Sequence, residues 1–135
     1  HKSVLEHASF TFLIEGISRA ASHQLVRHRL ASYSQQSQRY INFKNPEFVI
    51  PPSVNENKIL LNHFREHIQK SNDIYQEMIK IGIPEEKDRY ILPQDKTSQN
   101  IITDNAREYL HILQLRLCNR AQWEIRMIAN KILVI

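Results

Sequence analysis

The sequence predicts an α+β fold, a helix-rich single domain with a small antiparallel sheet and long helices. Near the N-terminus one segment alternates between apolar and polar residues, which is the period of a half-buried strand. Two long segments place apolar residues every three or four positions, which is the period of amphipathic helices. The chain has 135 residues, a length that favours one domain over two.

Residues 8–15 are predicted to form the strand. Its apolar face would carry alternate residues, which are Ala8, Phe10, Phe12 and Ile14. After Gly16, Ser18 has the side chain of an N-cap, so we expect a helix from Arg19 to about Arg29. The chain is therefore predicted to open with a strand followed by a helix.

The middle of the chain is predicted to contain a loop and one long helix. Residues 32–43 have no helical stripe and indicate a polar loop that leads into a short strand around Tyr40–Phe43. Ser53, with a Glu three residues later, forms a capping box that predicts the start of a helix. The apolar stripe of this helix extends to Ile81, where Gly82 supplies the stop signal.

The C-terminal part is predicted to be mostly helical. Pro84 favours a short helix through Arg89, and after a polar stretch Ile101–Thr103 is predicted to be a brief strand. No helix breaker occurs over 105–133, and the apolar residues keep a helical period there. We therefore expect one long helix over this range, with a kink near Asn119.

The composition excludes several classes of protein. Only two glycines are present, so the chain has no glycine-rich phosphate loop, and phosphates would be held by side chains and helix ends. The one cysteine excludes an internal disulfide framework and a cysteine-based zinc site, and it predicts a reducing, cytoplasmic compartment. No apolar run approaches the roughly 20 residues of a membrane helix, and we expect no membrane partner.

The segment from Arg27 to Tyr40 is the most unusual part of the sequence. It holds three Arg, one His, three Ser and three Gln, which are side chains that can bind phosphates and carbonyls. Gln24 is predicted to share a helix face with Arg27 and His28. The alternative interpretation is a solvated surface loop.

A second polar stripe lies on the predicted C-terminal helix. Arg107, His111 and Gln114 recur at helical spacing, and Asn105 stands at the helix start, where backbone N–H groups favour anions. Arg116 lies nine positions after Arg107, roughly 180° around the helix, so the two should face opposite sides. The alternative is an ordinary exposed face.

Three further features favour structural interpretations. If the polar stripe of the predicted C-terminal helix is an ordinary exposed face, Arg120 would pair with Glu124 one helical turn later. His63, Glu66 and His67 match a zinc-protease pattern, but no third ligand is evident, so we expect a solvated helix face and no metal. Cys118 is expected to be an inert, half-buried thiol within the long helix.

The polar segment resembles a known signature. Arg27-His28-Arg29, seven residues, and then Ser37, followed by Arg39-Tyr40, is similar to the motif of the flavin-dependent thymidylate synthase family. Further blocks are similar in the same order and spacing along nearly the whole chain. The resemblance implies that residues 1–135 form one domain of this family, shortened at both ends relative to its members.

The resemblance also implies an activity. Members of the family make dTMP from dUMP by reductive methylation, with methylenetetrahydrofolate as the carbon donor, reduced FAD as the hydride donor and NADPH as the usual reductant. The family forms homotetramers whose flavin sites are shared between subunits, which suits Arg107 and Arg116 on opposite helix faces. No enzyme nucleophile is required, which agrees with an inert Cys118.

Site residues follow from the resemblance by position. The FAD contacts implied are Ser3, Glu6, Arg27, His28, Arg29, Gln35, Asn105, Arg107 and His111. The dUMP contacts implied are Gln24, Arg27, Gln35, Gln36, Ser37, Gln38, Arg39, Arg89 and Arg116. Arg116 is also the implied catalytic residue, which activates the uracil ring. The sequence departs from the family at Gln35, where Glu is common, and at His111, where Asn is common.

Two other functions stay open at this point. The net charge of +4 is only a weak indication of nucleic-acid binding. The arginines would nevertheless also suit a basic helical nucleic-acid-binding module. A fragment of the family could keep the fold without turnover. The synthase interpretation is favoured, and we expect no nucleic-acid partner.

Overall fold

The computed structural model describes residues 1–38 and 46–135. Its contacts cluster into two compact units, residues 1–36 with 98–135 and residues 37–97. The first unit holds a small sheet with helices, and the second is mostly helical. The predicted α+β class with a small antiparallel sheet is therefore confirmed. No helix within the described ranges has both the length and the apolarity to cross a membrane.

Three strands form the sheet, in the order β1-β3-β2. They are β1 (Ser9–Ser18), β2 (Ser32–Gln35) and β3 (Thr97–Asn105). β2 and β3 are antiparallel, with Ser32 opposite Thr103 and Gln35 opposite Asn100. β1 runs antiparallel to β3 as well, because the Ala106 N–H donates to the Ala8 carbonyl while the Thr11 and Thr103 hydroxyls meet at 2.9 Å.

Two of these strands differ from the prediction. β2 lies within the predicted loop, and β3 is much longer than the predicted Ile101–Thr103. Alternate residues of β3 are buried, but they do not alternate between apolar and polar types. The buried residues are Ser98, Asn100, Ile102 and Asp104, of which only Ile102 is apolar. Polar inward residues hide the strand period from any reading based on apolar spacing. The predicted strand at Tyr40–Phe43 lies outside the described residues.

The first helix is shorter than predicted. Ser18 caps α1 (Arg19–Leu25) as expected, and its Oγ accepts from the Ala21 N–H at 3.0 Å. The helix ends at Leu25 rather than near Arg29. Tyr33 Oη donates to the carbonyls of Leu25 and His28 at 2.9 and 3.0 Å, so these carbonyls are satisfied without a further helical turn.

The predicted long C-terminal helix is two helices. They are α5 (Ala106–Arg116) and α6 (Trp123–Leu133), and residues 117–122 separate them. The prediction of a kinked but continuous helix was therefore wrong. Gln122 caps α6, and its Oε1 accepts from the Ile125 N–H at 3.0 Å. The apolar period continues through both helices, so the pattern carried no sign of the break.

A single apolar cluster lies between the sheet and the helices of the first unit. Its buried members are Ile14, Ile17, Ala21, Leu25, Ala31, Ile102, Tyr109, Ile112, Ile125 and Ile128. On β1 the buried positions step from Ile14 to Ile17 across Gly16, whose φ is 70°. This left-handed conformation, which glycine tolerates best, changes the alternation so that Ser18 also faces inward.

The second unit is built around one long helix. Its helices are α2 (Pro52–Asn55), α3 (Lys58–Lys80) and α4 (Glu85–Asp88), followed by a 3-10 turn at Arg89–Ile91. The predicted capping box at Ser53 is wrong, because Ser53 lies inside α2 and Asn57 caps α3 by accepting from the Leu60 N–H at 3.1 Å. The predicted stop is confirmed. Gly82 has a φ of 78°, and the Gly82 and Ile83 N–H groups close the helix in a Schellman motif.

Glu124 joins the last helix to the first strand. Its side chain is only 3% exposed. Oε1 accepts from the Ser18 N–H at 2.7 Å, and Oε2 accepts from the Ser18 hydroxyl at 2.6 Å and from Gln122 Nε2 at 2.9 Å. A buried carboxylate is tolerated because all these donors converge on it.

Glu124→Gln should destabilise the chain. The substitution replaces one acceptor oxygen by an N–H donor facing Ser18, so buried donors lose their partner. We expect a loss of about 1–3 kcal/mol in the free energy of unfolding, measured by urea denaturation. The control is Glu15→Gln, an exposed carboxylate on β1, which should change stability by less than about 0.5 kcal/mol. Equal stability of the two variants would contradict this role of Glu124.

Candidate functional site

An open cavity of about 710 Å³ lies in the first unit, within the size range of small-molecule sites. Its walls come from the N-terminal 3-10 helix (Lys2–Glu6), the end of β3 and one face of α5. The lining residues are Lys2, Leu5, Glu6, Leu30, Asp104, Asn105, Arg107, Glu108, Leu110, His111 and Gln114. The predicted polar stripe of Arg107, His111 and Gln114 therefore faces this cavity.

Arg107 and Glu6 form an ion pair at the cavity wall. Their side chains are 56% and 46% exposed, and pairs of such exposure contribute little to stability. A ligand that offered a better acceptor could therefore take the guanidinium without a large cost to the fold. Arg107 has the planar donor group that suits phosphates and carboxylates.

Two polar residues stand where β3 passes into α5. Asn105 caps α5, and its Oδ1 accepts from the Glu108 N–H at 3.0 Å. Asp104 is 8% exposed; its Oδ1 accepts from the Asn105 N–H at 2.8 Å, while Oδ2 meets no hydrogen-bond partner in the described part of the chain. Oδ2 is therefore a buried, unsatisfied acceptor beside the cavity wall, and it is not open to a ligand in this structure.

The charges of the lining do not favour an anion by themselves. Among the described residues the lining holds two cationic side chains, Lys2 and Arg107, and three carboxylates, Glu6, Asp104 and Glu108. Donors and acceptors are mixed, which suits a ligand with hydroxyls and heteroaromatic nitrogens. A phosphate bound here would need cations beyond those of the lining.

An apolar groove of about 310 Å³ adjoins this cavity, and Leu5 and Leu110 line both. Aromatic and aliphatic side chains make up most of its remaining wall, namely Phe10, Phe12, Tyr109, Leu113, Ile132, Leu133 and Ile135, together with Ala106. Tyr109 packs edge-on against Phe12, with ring centroids 5.2 Å apart. The two surfaces together present a polar and an apolar side to one ligand.

His28, in the turn after α1, contacts Arg116, the last residue of α5. Arg116 Nε donates to His28 Nε2 at 2.8 Å, although 88 residues separate them. Burial lowers the pKa of His28 most, the positive charge of Arg116 and the proximity of His111 lower it further, and Asp104 opposes them. Arg107 lines the cavity and Arg116 is not among its lining residues; that the two face opposite sides of the helix stays a prediction.

The remaining predicted residues near His28 lie outside the cavity wall. Arg27 and Arg29 are exposed, and Gln24 is half-buried on α1. The predicted helix face shared by Gln24, Arg27 and His28 is wrong, because α1 ends at Leu25. Ser3 is exposed, and its hydroxyl lies 2.7 Å from His1 Nδ1.

Gln35 belongs to a buried polar cluster. Its Nε2 donates to Ser22 Oγ and, at 3.4 Å, to Ser98 Oγ. Asn100, paired opposite Gln35 on β3, is fully buried, and both its amide atoms have no partner in the described part of the chain. The Gln36 N–H extends the strand pairing by donating to the Gln99 carbonyl at 3.0 Å.

Ser37, Gln38 and Arg89, which are also predicted to bind dUMP, belong to the second unit. Ser37 and Gln38 are half-buried, and Arg39 lies outside the described residues. Arg89 Nε donates to the Glu86 carbonyl at 3.1 Å, and the guanidinium lies 6.0 Å from the centroid of the Tyr90 ring.

The histidine pattern on α3 has no metal-site geometry. His63, Glu66 and His67 are exposed, and within residues 1–38 and 46–135 no three His, Cys, Asp or Glu side chains are grouped to hold a metal ion.

Sequence reasoning missed several residues of the site. Asp104, Glu108 and Leu110 line the cavity, and the helical spacing of Leu110 relative to Arg107 could have indicated its place. Nothing in the sequence indicated that Tyr33 holds the carbonyl of His28 or that His28 meets Arg116.

The comparison with family models gives one match. A model described as "Thymidylate synthase complementing protein" covers residues 1–135. This match spans the cavity, the His28–Arg116 pair and both units of the fold.

Curated relatives carry a common name. A "Flavin-dependent thymidylate synthase" of Geobacter sulfurreducens is 53% identical over 135 residues, which cover 98% of this chain and 58% of the relative. A relative of the same name from Pyrococcus abyssi is 52% identical over 137 residues, covering 98% and 56%. One from Nitratidesulfovibrio vulgaris is 40% identical over 141 residues. The chain spans a little over half the length of these relatives.

Cys118 lies between the two C-terminal helices. It is half-buried in the stretch 117–122, so the prediction that it sits within a helix was wrong. Hydrogen bonds from the Arg120 backbone and side chain lower the pKa of its thiol, and burial opposes them. The Arg120–Glu124 pair of the alternative interpretation is not formed, since the Glu124 carboxylate binds Ser18 and Gln122.

Contrary to the sequence-based expectation of an inert thiol, the Cys118 thiol should react faster than an ordinary thiol at neutral pH, because its pKa is lowered. A lowered pKa increases the thiolate fraction, which is the nucleophilic form. The rate of reaction with a disulfide reagent, followed against pH, should have its midpoint below the usual range near 8.5. Arg120→Ala should move the midpoint upward, whereas Arg65→Ala on α3 should not. A midpoint that Arg120→Ala leaves unchanged would contradict this cause.

Proposed function

The chain belongs to the thymidylate synthase complementing protein family, and we propose that it is the flavin- and nucleotide-binding part of a FAD-dependent thymidylate synthase. The proposed reaction is the reductive methylation of dUMP to dTMP, with methylenetetrahydrofolate as carbon donor and NADPH as reductant. One observation carries the proposal. Four residues expected at the flavin, Glu6, Asn105, Arg107 and His111, line one cavity, and the relatives are named for flavin dependence.

The chemistry of the cavity fits a flavin nucleotide. Arg107 and His111 offer donors, and the lining carboxylates of Glu6 and Glu108 offer acceptors for a hydroxyl or a ring N–H. Leu5 and Leu110 join the polar wall to the apolar groove, which suits a ligand with a heteroaromatic ring. FAD, when bound and reduced, supplies the hydride for the proposed reaction.

The charge balance of the lining supports a site shared between subunits. The pyrophosphate of FAD is negatively charged, whereas carboxylates outnumber cations among the described lining residues. Arg27 and Arg29 are exposed and lie outside the cavity wall of their own copy. We therefore assign them to the phosphates of a flavin held by a neighbouring copy, within a homotetramer. The single cysteine supports a cytoplasmic location for this assembly.

Arg116 is the proposed catalytic residue. Its Nε is engaged by His28, and in the described part of the chain no hydrogen bond engages its two Nη groups. A guanidinium bound at the O2 and N3 edge of uracil stabilises the negative charge that forms as N3 ionises, which prepares C6 to accept a hydride. A preorganised donor of this kind contributes about 2.7–4 kcal/mol to the transition state.

Arg107→Ala and Arg29→Ala should lower the amount of bound flavin. Arg107 would lose a donor at the cavity, and Arg29 a cation for the phosphates. The measurement is the flavin absorbance of the intact protein after reconstitution with FAD and gel filtration. Arg65→Ala, which removes an exposed arginine of α3, is the control and should keep its flavin. Unchanged occupancy in Arg27, Arg29 and Arg107 variants alike would refute this site.

Arg116→Lys should slow hydride transfer far more than it weakens FAD binding. Lysine keeps the charge but loses the planar fork that can meet two uracil atoms at once. The rate of flavin oxidation at saturating dUMP, followed by stopped flow, should fall on the order of 10²–10³-fold. The control is Arg126→Lys, a half-buried arginine of α6 whose side chain binds Asn119. A parental rate in Arg116→Lys would exclude Arg116 from the reaction.

A further inference from the structure

His28 presents its ring to Arg116. Its Nε2 accepts from Arg116 Nε at 2.8 Å, and His28 is absent from the lining of the cavity. A ring nitrogen that accepts carries no proton, so the proton of the neutral ring is on Nδ1. This contact with Arg116 stands beside the flavin contact that the family resemblance implies for His28.

The backbone of His28 is held in place from the neighbouring strand. Tyr33 Oη donates to the His28 carbonyl at 3.0 Å and to the Leu25 carbonyl at 2.9 Å. Tyr33 is itself paired with the buried Ile102 in the sheet register. His28 is only 8% exposed, so its ring is held by the surrounding residues and is not a mobile surface group.

Fixing Nε determines where the rest of the guanidinium points. The group is planar, so a hydrogen bond at Nε restrains both the side-chain rotamers and the direction of the two Nη groups. These are the donors that the proposed function assigns to uracil. Small errors in their placement would reduce the rate strongly, since misplacement by about 1 Å can cost on the order of 10²-fold.

We propose that His28 is the positioning residue of Arg116: its neutral ring accepts the Nε–H and thereby aims the guanidinium fork at the nucleotide. The assignment rests on the proposed function for the identity of that nucleotide. The pairing itself rests on the hydrogen bond, the burial of His28 and the Tyr33 contacts. In this role His28 acts through Arg116.

This arrangement depends on protonation. The groups that face His28 are Arg116 and His111 from α5 and Asp104 from β3, with Tyr33 from β2 bonded to its carbonyl. Burial and then Arg116 lower the pKa of His28 below 6.5, so the ring is neutral at pH 7. As the pH falls through that lowered pKa, the ring gains a proton, loses its acceptor and repels Arg116.

The pairing is tested by ¹⁵N NMR of the histidine rings in the intact protein. We expect the His28 shifts to report a proton on Nδ1 and none on Nε2, with a titration midpoint below 6.5. Arg116→Met removes the neighbouring charge and should raise that midpoint. A proton on Nε2, or a midpoint that Arg116→Met does not move, would overturn the proposal.

The positioning role is tested by two substitutions in the stopped-flow assay. His28→Gln keeps an acceptor oxygen near the place of Nε2, whereas His28→Phe keeps the bulk without an acceptor. We expect His28→Phe to reduce kcat on the order of 10²-fold with FAD still bound. His28→Gln should retain most of kcat and lose the decline of kcat at acid pH. His23→Gln, on exposed surface of α1, should keep that decline.

Two results separate the possibilities. Loss of flavin in both His28 variants with an unchanged rate in the remaining holoenzyme would show that His28 binds the cofactor, and the proposal would be wrong. If the unsubstituted protein showed no dUMP-dependent oxidation of reduced flavin, the proposed function would be wrong. The ring titration would then decide by itself whether His28 holds Arg116.

Discussion

A buried carboxylate, that of Glu124, holds the first unit together. It accepts hydrogen bonds from the backbone and hydroxyl of Ser18, at the point where β1 ends and α1 begins. A carboxyl group at 3% exposure is tolerated only while its hydrogen-bond donors stay in place, so the first strand, the first helix and the last helix are held together. The end of α5 and the turn after α1 take their positions from these elements.

The candidate site depends on polar groups that the fold holds in defined places. Tyr33 satisfies the carbonyls of Leu25 and His28, which ends the helix early and turns His28 toward Arg116. On the neighbouring strand, Asp104 keeps one unpartnered oxygen in the described part of the chain, next to the cap of α5. Unsatisfied and charged groups at low exposure cost stability, and natural proteins retain them mainly at functional sites.

Local features of the fold could be predicted where a single residue sets the backbone. Ser18 caps α1 and Gly82 closes α3 because a hydroxyl and a residue without a Cβ act within one helical turn. The stripe of Arg107, His111 and Gln114 was also predictable, since helical spacing alone puts these residues on one face. The sequence motif around His28 indicated a site and a family, but it did not indicate which residue would form a hydrogen bond with the imidazole ring.

The hydropathy periods, the helix ends at Ser18 and Gly82, and the polar residues available for chemistry could all be read from the amino-acid order. Folding was needed to show that β3 is a strand with Ser98 and Asn100 inside, and that the C-terminal helix breaks at 117–122. The tertiary structure also decided that His28 meets Arg116, which lies 88 residues away. The physical reason is that periodicity records which face is apolar, whereas these features arise from hydrogen bonds between distant polar groups, and such bonds leave no regular spacing in the sequence.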